Sequence, residues 1–279
     1  MSICCITYNH AAYIREALDG FVQQRTTFPI EVIVHDDAST DGTADIIRQY
    51  VREHPGLFKP ILQTENQYSK QRGLVTRNVF RAAKAPFIAW CEGDDHWTDP
   101  LKLQKQVDFL QANEAHVMCF HRAMLLKQGR MELHAIPEGV DLRNVRVEDL
   151  LAEYNFIATG SIVFRNITSE LPDWFWGMPF GDLALYIFLG SRGRIACLPD
   201  TMSVYRLVGD GAWSGRSKKQ QRMAYLEFYD RLLPHVDHHL RELVRAKRAS
   251  VLDAMAADIA PGSNLLRGIA RCFLQIRHR

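Results

Sequence analysis

The chain has 279 residues and a mass of 32.0 kDa, with 47% hydrophobic and 24% charged residues. Such a composition suits one large folded domain, or one domain with an appendage, and excludes a disordered chain, a collagen-like repeat and a disulfide-stapled miniprotein. The net charge of +2 is unevenly placed: residues 214–279 hold 13 lysines and arginines against 6 acidic residues, and residues 1–213 hold 21 against 26. A basic segment thus follows an acidic body, and different jobs are expected of the two. No run of about 18 uncharged apolar residues occurs, so no membrane-spanning helix is expected. The start, Met1-Ser2-Ile3-Cys4-Cys5-Ile6, has neither a basic region nor a cleavage site, which points to a cytoplasmic protein. Cysteines 4, 5, 91, 119, 197 and 272 lack metal-ligand spacing and read as reduced, buried thiols.

The first hundred residues alternate strand and helix signals. Strands are predicted over residues 2–7, 30–35, 60–63 and 87–91, and helices over 11–24, 43–51 and 74–83. That alternation implies βαβ units around a mostly parallel, Rossmann-like sheet flanked by helices, an α/β fold. The pattern then changes. A long amphipathic helix is predicted over 101–112, a strand over 117–126, and a less regular stretch to 155. Strands over 157–165 and 195–206 follow, with an apolar helix over 183–190 between them. Residues 218–258 read as helical with a break near Pro234, forming a helical C-terminal appendage. The expected division is 1–213 for the main domain, with halves 1–97 and 98–213, and 214–279 for the basic helical region.

Two acidic clusters stand where the strands end. Asp36-Asp37 follows Val32-Ile33-Val34-His35, and Glu92-Gly93-Asp94-Asp95 follows Phe87-Ile88-Ala89-Trp90-Cys91. In a parallel sheet both ends lie on one edge, where open α/β folds bind ligands. Thr7-Tyr8-Asn9 ends the first strand on the same edge. Carboxylates gathered there repel unless a proton or cation sits among them. Hard oxygen ligands favour Mg²⁺ or Mn²⁺, with substrate phosphates completing the shell. Tyr8 could stack on a base, and Asp37 could accept a hydrogen bond from one. The same clusters are also good turn and N-cap chemistry.

Residues 3–97 resemble the nucleotide-binding half of the family 2 glycosyltransferases, which have the GT-A fold. The stretches that carry the likeness are Ile6-Thr7-Tyr8-Asn9-His10, Val34-His35-Asp36-Asp37 through Thr43, Gly73-Leu74-Val75-Thr76-Arg77-Asn78, and Glu92-Gly93-Asp94-Asp95-His96-Trp97. The resemblance implies that Thr7 and Tyr8 line the nucleobase pocket, that Asn9 beside them binds the donor, and that Asp37 binds the base, usually uracil. It implies that Arg77 lies near the phosphates and that Asp94 and Asp95 hold a divalent metal with the donor diphosphate. Glu92 takes the first acidic place of that motif.

Inverting transfer needs a base for the acceptor hydroxyl, and a carboxylate within reach suffices. Asp182, after Phe180-Gly181 and before the apolar helix, stands where the family commonly places that base; alone, it also reads as a helix N-cap. Ser203-Val204-Tyr205-Arg206 again resembles the family. The segment Tyr205-Arg206-Leu207-Val208-Gly209-Asp210-Gly211-Ala212-Trp213-Ser214 resembles a family loop near the donor diphosphate but lacks the His many relatives carry there, so the metal would rest on carboxylates and phosphates, or on Asp210. Trp213 reads as a lid residue over the donor or as a packing anchor. The Gln-x-x-Arg-Trp motif of processive members is absent, which implies single additions.

The expectation is therefore an inverting, metal-dependent transfer of one sugar from a nucleotide-diphospho-sugar, a UDP-sugar by the family's habit. The acceptor would be a saccharide or lipid-linked molecule in surface polysaccharide assembly. The alternative is a degenerate transferase kept as a nucleotide-binding or scaffolding subunit. Residues 263–276 form a basic amphipathic pattern that would lie on the inner face of a membrane, or pack on its own domain or on a second copy in a homo-oligomer. Nucleic acid is a poor fit, because the basic residues lack interleaved aromatic platforms.

Overall fold

The computed structural model describes residues 1–152, 155–208, 213 and 215–259. The tail pattern over 263–276 and the loop residues 209–212 and 214 lie outside the described residues. The chain divides into two units: Met1–Gly177 with Gly181–Leu207, and Met178–Phe180 with the chain from Val208 onward.

In the first unit the elements run β1 (Ser2–Thr7), α1 (Ile14–Val22), β2 (Glu31–Asp36), α2 (Thr43–Glu53), β3 (Phe58–Leu62), α3 (Gln67–Lys70), α4 (Leu74–Ala82) and β4 (Phe87–Glu92). There follow β5 (His96–Trp97), α5 (Lys102–Ala112), β6 (His116–Lys127), β7 (Arg130–Leu133), α6 (Val147–Ala152), β8 (Val163–Arg165), α7 (Gly181–Gly190) and β9 (Arg194–Leu207). They build one sheet in the order β3-β2-β1-β4-β8-β6-β9-β5, with β7 paired to β6. The half β3-β2-β1-β4 is parallel throughout, whereas β8 joins β4 and β6 antiparallel and β6 runs parallel to β9. Because β1 is central, Ser2, Ile3, Cys4 and Cys5 are buried on both faces, which is why it reads as an unbroken apolar run rather than an alternating one. Ile14, Ala17, Leu18 and Phe21 of α1 cover one face of the sheet at helical spacing. Phe21 meets Trp97 edge-on with ring centroids 4.7 Å apart.

The sheet carries the predicted strands 2–7, 87–91 and 195–206 almost to the residue, but 157–165 is a strand only over its last three residues. Thr159–Ser161 instead forms a single 3-10 turn. It does so because three groups take its carbonyls and hydroxyl: Trp97 Nε1 donates to Gly160 O at 2.7 Å, Gln106 Nε2 to Ser161 O at 2.9 Å, and Ser161 Oγ to Ala158 O at 2.6 Å. The short elements β5, β7, α3 and α6 were not foreseen. Strand β7 follows a two-residue turn in which Gln128 and Gly129 both take positive φ, the geometry of a tight hairpin.

The second unit pairs α8 (Lys218–Leu232) with α9 (His238–Ile259), separated by a turn at Leu233–His235 that contains Pro234, where the break was expected. Ser217 and Gln220 form a reciprocal capping box at the start of α8. Leu226, Leu252 and Met255 form a core between the helices, and Arg248 Nε bonds Asp230 at 2.5 Å. Among the described residues the cysteines are all free, and no helix is long and apolar enough to cross a membrane.

Candidate active site

Strands β1, β2 and β4 end at one edge of the sheet, as the parallel reading requires. Thr7 is level with Asp36 across one ladder and Ile6 with Glu92 across the other. The turns that follow continue the pairing: Asp37 N donates to Thr7 O at 3.0 Å and Gly93 N to Ile6 O at 2.9 Å. Gly93 must be glycine, because a Cβ there would stand 2.7 Å from the Thr7 side chain and 2.9 Å from Ile14 Cδ1.

The loops after β1 and β2 are laced together by their polar side chains. Asn9 N donates to Ser39 Oγ and Thr40 N to Asn9 Oδ1, at 2.8 and 2.9 Å. Asp41 accepts from Ala11 N and from Thr43. Asn9 and Ala38 sit at φ +54° and +62°, a left-handed conformation such contacts must stabilise. Both oxygens of the buried Asp37 accept backbone N–H groups, from Gln67 at 2.7 Å and Tyr68 at 3.0 Å. Asp37 therefore organises the start of α3. Tyr8, next to it in the first loop, is 46% exposed with its ring open to solvent. Arg77 lies in α4 with its guanidinium 4.7 Å over the Trp176 ring. The turn before α4 depends on Gly73, at φ +78°, whose Cβ would fall 2.1 Å from Trp176 O. Trp213 belongs to the second unit, where it meets Phe180 and Tyr225 at 5.0 and 5.6 Å.

The acidic turn after β4 is the centre of the first unit's edge. Asp95 is buried, and one of its oxygens accepts Arg206 N at 2.8 Å. The other has no partner, nor have Asp94 Oδ1, Thr7 Oγ1 and His10 Nδ1, all buried polar atoms. His10 Nε2 is 3.9 Å from Asp94 Oδ2. Buried polar atoms left unbonded cost free energy, so a cluster of them at a strand edge marks a place built for a polar or charged guest.

Asp182, in the first turn of α7, joins this cluster. It is close enough to Glu92 to act on its titration: burial first, then Asp94 and Asp182, push Glu92 up to about 8. Burial, and next Asp94, hold Asp95 well above the usual carboxylate range. Burial also raises Asp182, opposed by the Leu183 N–H and by Asn155, whose Nδ2 donates to Asp182 Oδ2 at 2.6 Å. The phenols of Tyr186 and Tyr205 are raised by burial and by the same carboxylates, so both face the cluster. Helix α7 behind Asp182 is buried on all sides from Leu183 to Leu189, which fixes the position of its N-terminal turn.

The structure thus brings Thr7, Glu92, Asp94, Asp95 and Asp182 together. The sequence reading gave no role to His10, Asn155 or Arg206. His10 and Arg206 sit in quoted motifs and Asn155 in none, but Asn155 and Arg206 meet their partners from 27 and 112 residues away in the chain, pairings no local signal reports. Among the described residues no group of three or more His, Cys, Asp or Glu is arranged to hold a metal unaided. The orphaned oxygens of Asp94 and Asp95 do fit a divalent cation that draws its remaining ligands from a phosphate-bearing substrate.

A model of glycosyl transferase family 2 matches residues 2–168. An uncharacterized protein of Mycobacterium bovis is 42% identical over 221 residues, which are 76% of this chain and 60% of that protein, so the chain spans under two thirds of that relative's length. Among solved structures, S. aureus TarS residues 1–349 in complex with UDP-GlcNAc superposes with a TM-score of 0.65 at 14% identity, covering 93% of this chain and 81% of that one. The mannosyltransferase PcManGT from Pyrobaculum calidifontis, in complex with GDP-Man and Mn²⁺, does so with a TM-score of 0.56 at 18% identity, covering 99% and 79%. Those two likenesses are of fold, and the fold is GT-A.

Proposed function

The chain belongs to glycosyl transferase family 2, and from that premise we propose that it moves one sugar, with inversion, from a UDP-sugar to a saccharide or lipid-linked acceptor with the help of a divalent cation. The observation that carries this reading is the gathering of Glu92, Asp94, Asp95 and Asp182 around buried oxygens that lack partners. The complexes of TarS with UDP-GlcNAc and of PcManGT with GDP-Man and Mn²⁺ support a nucleotide-sugar donor and a metal.

In this reading residues 1–97 hold the donor and the rest of the first unit holds the acceptor. Tyr8 stacks on the base. Asp37, with both oxygens already accepting backbone N–H groups, meets a base N–H with a remaining lone pair. Asp94 and Asp95 would hold Mn²⁺ or Mg²⁺, which when bound neutralises charge on the departing diphosphate. Asp182 takes the acceptor's hydroxyl proton as that oxygen bonds to the anomeric carbon, opposite the C–O bond that breaks. A carboxylate raised by burial is a stronger base than one in water.

The test is thermal shift against UDP, GDP, CDP and dTDP, each with Mn²⁺ and with EDTA, followed by donor turnover in Asp182→Asn. Ligand at 100 times its dissociation constant adds roughly 2.7 kcal/mol of stability. The expected result is a shift for UDP that EDTA abolishes, kept in Asp182→Asn while sugar transfer falls at least a thousandfold. Undiminished transfer in that variant would remove Asp182 as the base. No shift with any nucleotide would favour the scaffolding alternative.

A further inference from the structure

One cation is built into the acidic edge of the first unit, and the family-like motifs gave it no task. Arg206 ends the ladder of β9 next to β5 and is 9% exposed. Its backbone N–H donates to Asp95 Oδ1 at 2.8 Å. Its guanidinium donates through Nη1 to the Asp94 carbonyl at 2.6 Å and through Nη2 to Glu16 Oε2 at 3.0 Å, with His96 Nδ1 3.5 Å away. The same plane lies 4.7 Å over the Tyr13 ring. Tyr13 and Glu16 open α1, the helix that follows the Thr7–His10 loop, and Asp94 faces His10 of that loop.

We infer that Arg206 is the positioning residue of the acidic turn: it pins the Asp94 peptide to the first helix, so that the Asp94 carboxylate is presented beside the first loop. The two halves of the residue act separately. Any residue at 206 except proline would keep the backbone bond to Asp95. Only a planar guanidinium can serve the Asp94 carbonyl and Glu16 at once while stacking on Tyr13. Lysine has the charge but places its donors on one nitrogen, so it can keep one partner and loses the plane. Asp95 thus stays anchored in Arg206→Lys, whereas the tie between the Asp94 peptide and Glu16 is cut whichever partner the lysine keeps. Glu16 holds the far end of the clamp from a side chain that is 53% exposed, so it can be changed with little risk to the fold.

The inference rests, for its consequence, on the reading of the edge as a site for a nucleoside diphosphate with a divalent cation. Its test therefore has one arm that needs no ligand. Hydrogen exchange of the full chain in EDTA should show faster exchange for amides 93–96 in Arg206→Lys, and a smaller change of the same kind in Glu16→Gln, with the rest of the sheet unchanged. The second arm is UDP titration with Mn²⁺ and with EDTA. With Mn²⁺, Arg206→Lys should bind UDP about tenfold or more weaker, the size expected for one lost charge-assisted hydrogen bond. With EDTA its affinity should match the wild-type value, because the base pocket does not depend on Asp94. Unchanged exchange over 93–96, or an equal loss of affinity in Mn²⁺ and in EDTA, overturns the positioning role. A wild-type chain that binds UDP no better with Mn²⁺ than with EDTA refutes the reading of the site instead, and the exchange arm then decides the role of Arg206.

Discussion

Glu92→Gln should stabilise the ligand-free protein at pH 8 and do almost nothing at pH 5. Glu92 is held near 8, against an ordinary glutamate value of 4.5, by burial and by the negative charge of Asp94 and Asp182. The folded state therefore binds the proton more tightly than the unfolded state does. Such a group contributes its full stability below about pH 4.5 and loses it as the pH rises through the folded value. Each pH unit of that window is worth about 1.4 kcal/mol, so an isolated, fully buried group would forfeit about 5 kcal/mol across it. Glu92 is only part-buried and its charge is felt by neighbouring carboxylates as well as by solvent, which brings the expected figure down to about 2 kcal/mol. In a domain of this size that is roughly 4–8 °C of melting temperature. Thermal unfolding in EDTA at pH 5 and pH 8, wild type against Glu92→Gln, reads the effect as a difference of differences, so titrations elsewhere in the chain cancel. Equal melting temperatures at both pH values would mean that the carboxylates do not share a buried site.

Gly93→Ala should cost about 2 kcal/mol in urea unfolding and weaken UDP binding together, because the new methyl drives into Thr7 and Ile14 and the strand end must give; a wild-type midpoint would refute the close approach of this turn to Thr7. Asn155→Ala should move the acid limb of the kcat profile to higher pH. The base works ionised, the Asn155 N–H favours that form, and without it burial acts on Asp182 against only the Leu183 and Asp182 backbone contacts. Glu92, Tyr186 and Tyr205 face the same carboxylate, so the shift is to be read against Tyr186→Phe and Tyr205→Phe, which leave that donor in place. An acid limb that stays put in Asn155→Ala would leave Asn155 with a structural task only.

Where local pattern and tertiary need coincide, the fold is legible from the chain. Strand β1 needs both faces apolar and has them, and α1 shows its buried stripe at the spacing of three and four. Residues 157–162 show the opposite case. Phe156, Ile157 and Ala158 are apolar and buried, so they look like a strand, yet the Trp97 indole and the Gln106 amide need carbonyls brought inward, and a 3-10 turn supplies them. Strand β5 is two residues long and exists because Val204 and Ser203 lie opposite His96 and Trp97, partners 108 and 106 positions away in the sequence. Such elements have no period to read.

The site divides along the same line. Carboxylates at the ends of β2 and β4 could be placed together in advance, because parallel strands end on one edge and nothing more need be known. Asp182 could be placed there only by resemblance, since it arrives on a helix after an irregular stretch. Arg206 could be brought near the donor only by resemblance, with no task of its own, and Asn155 could not be placed at all. They matter because of what the edge must withstand: several acids in one buried place repel, and each group that holds them against that repulsion must reach in from elsewhere. A buried guanidinium bonded to the peptide of Asp94, rather than to its carboxylate, restrains the turn without quenching the charge. The carboxylate oxygens of Asp94 and Asp95 that remain without partners are then free to attract a cation, and the Glu92 titration is the price of keeping them so.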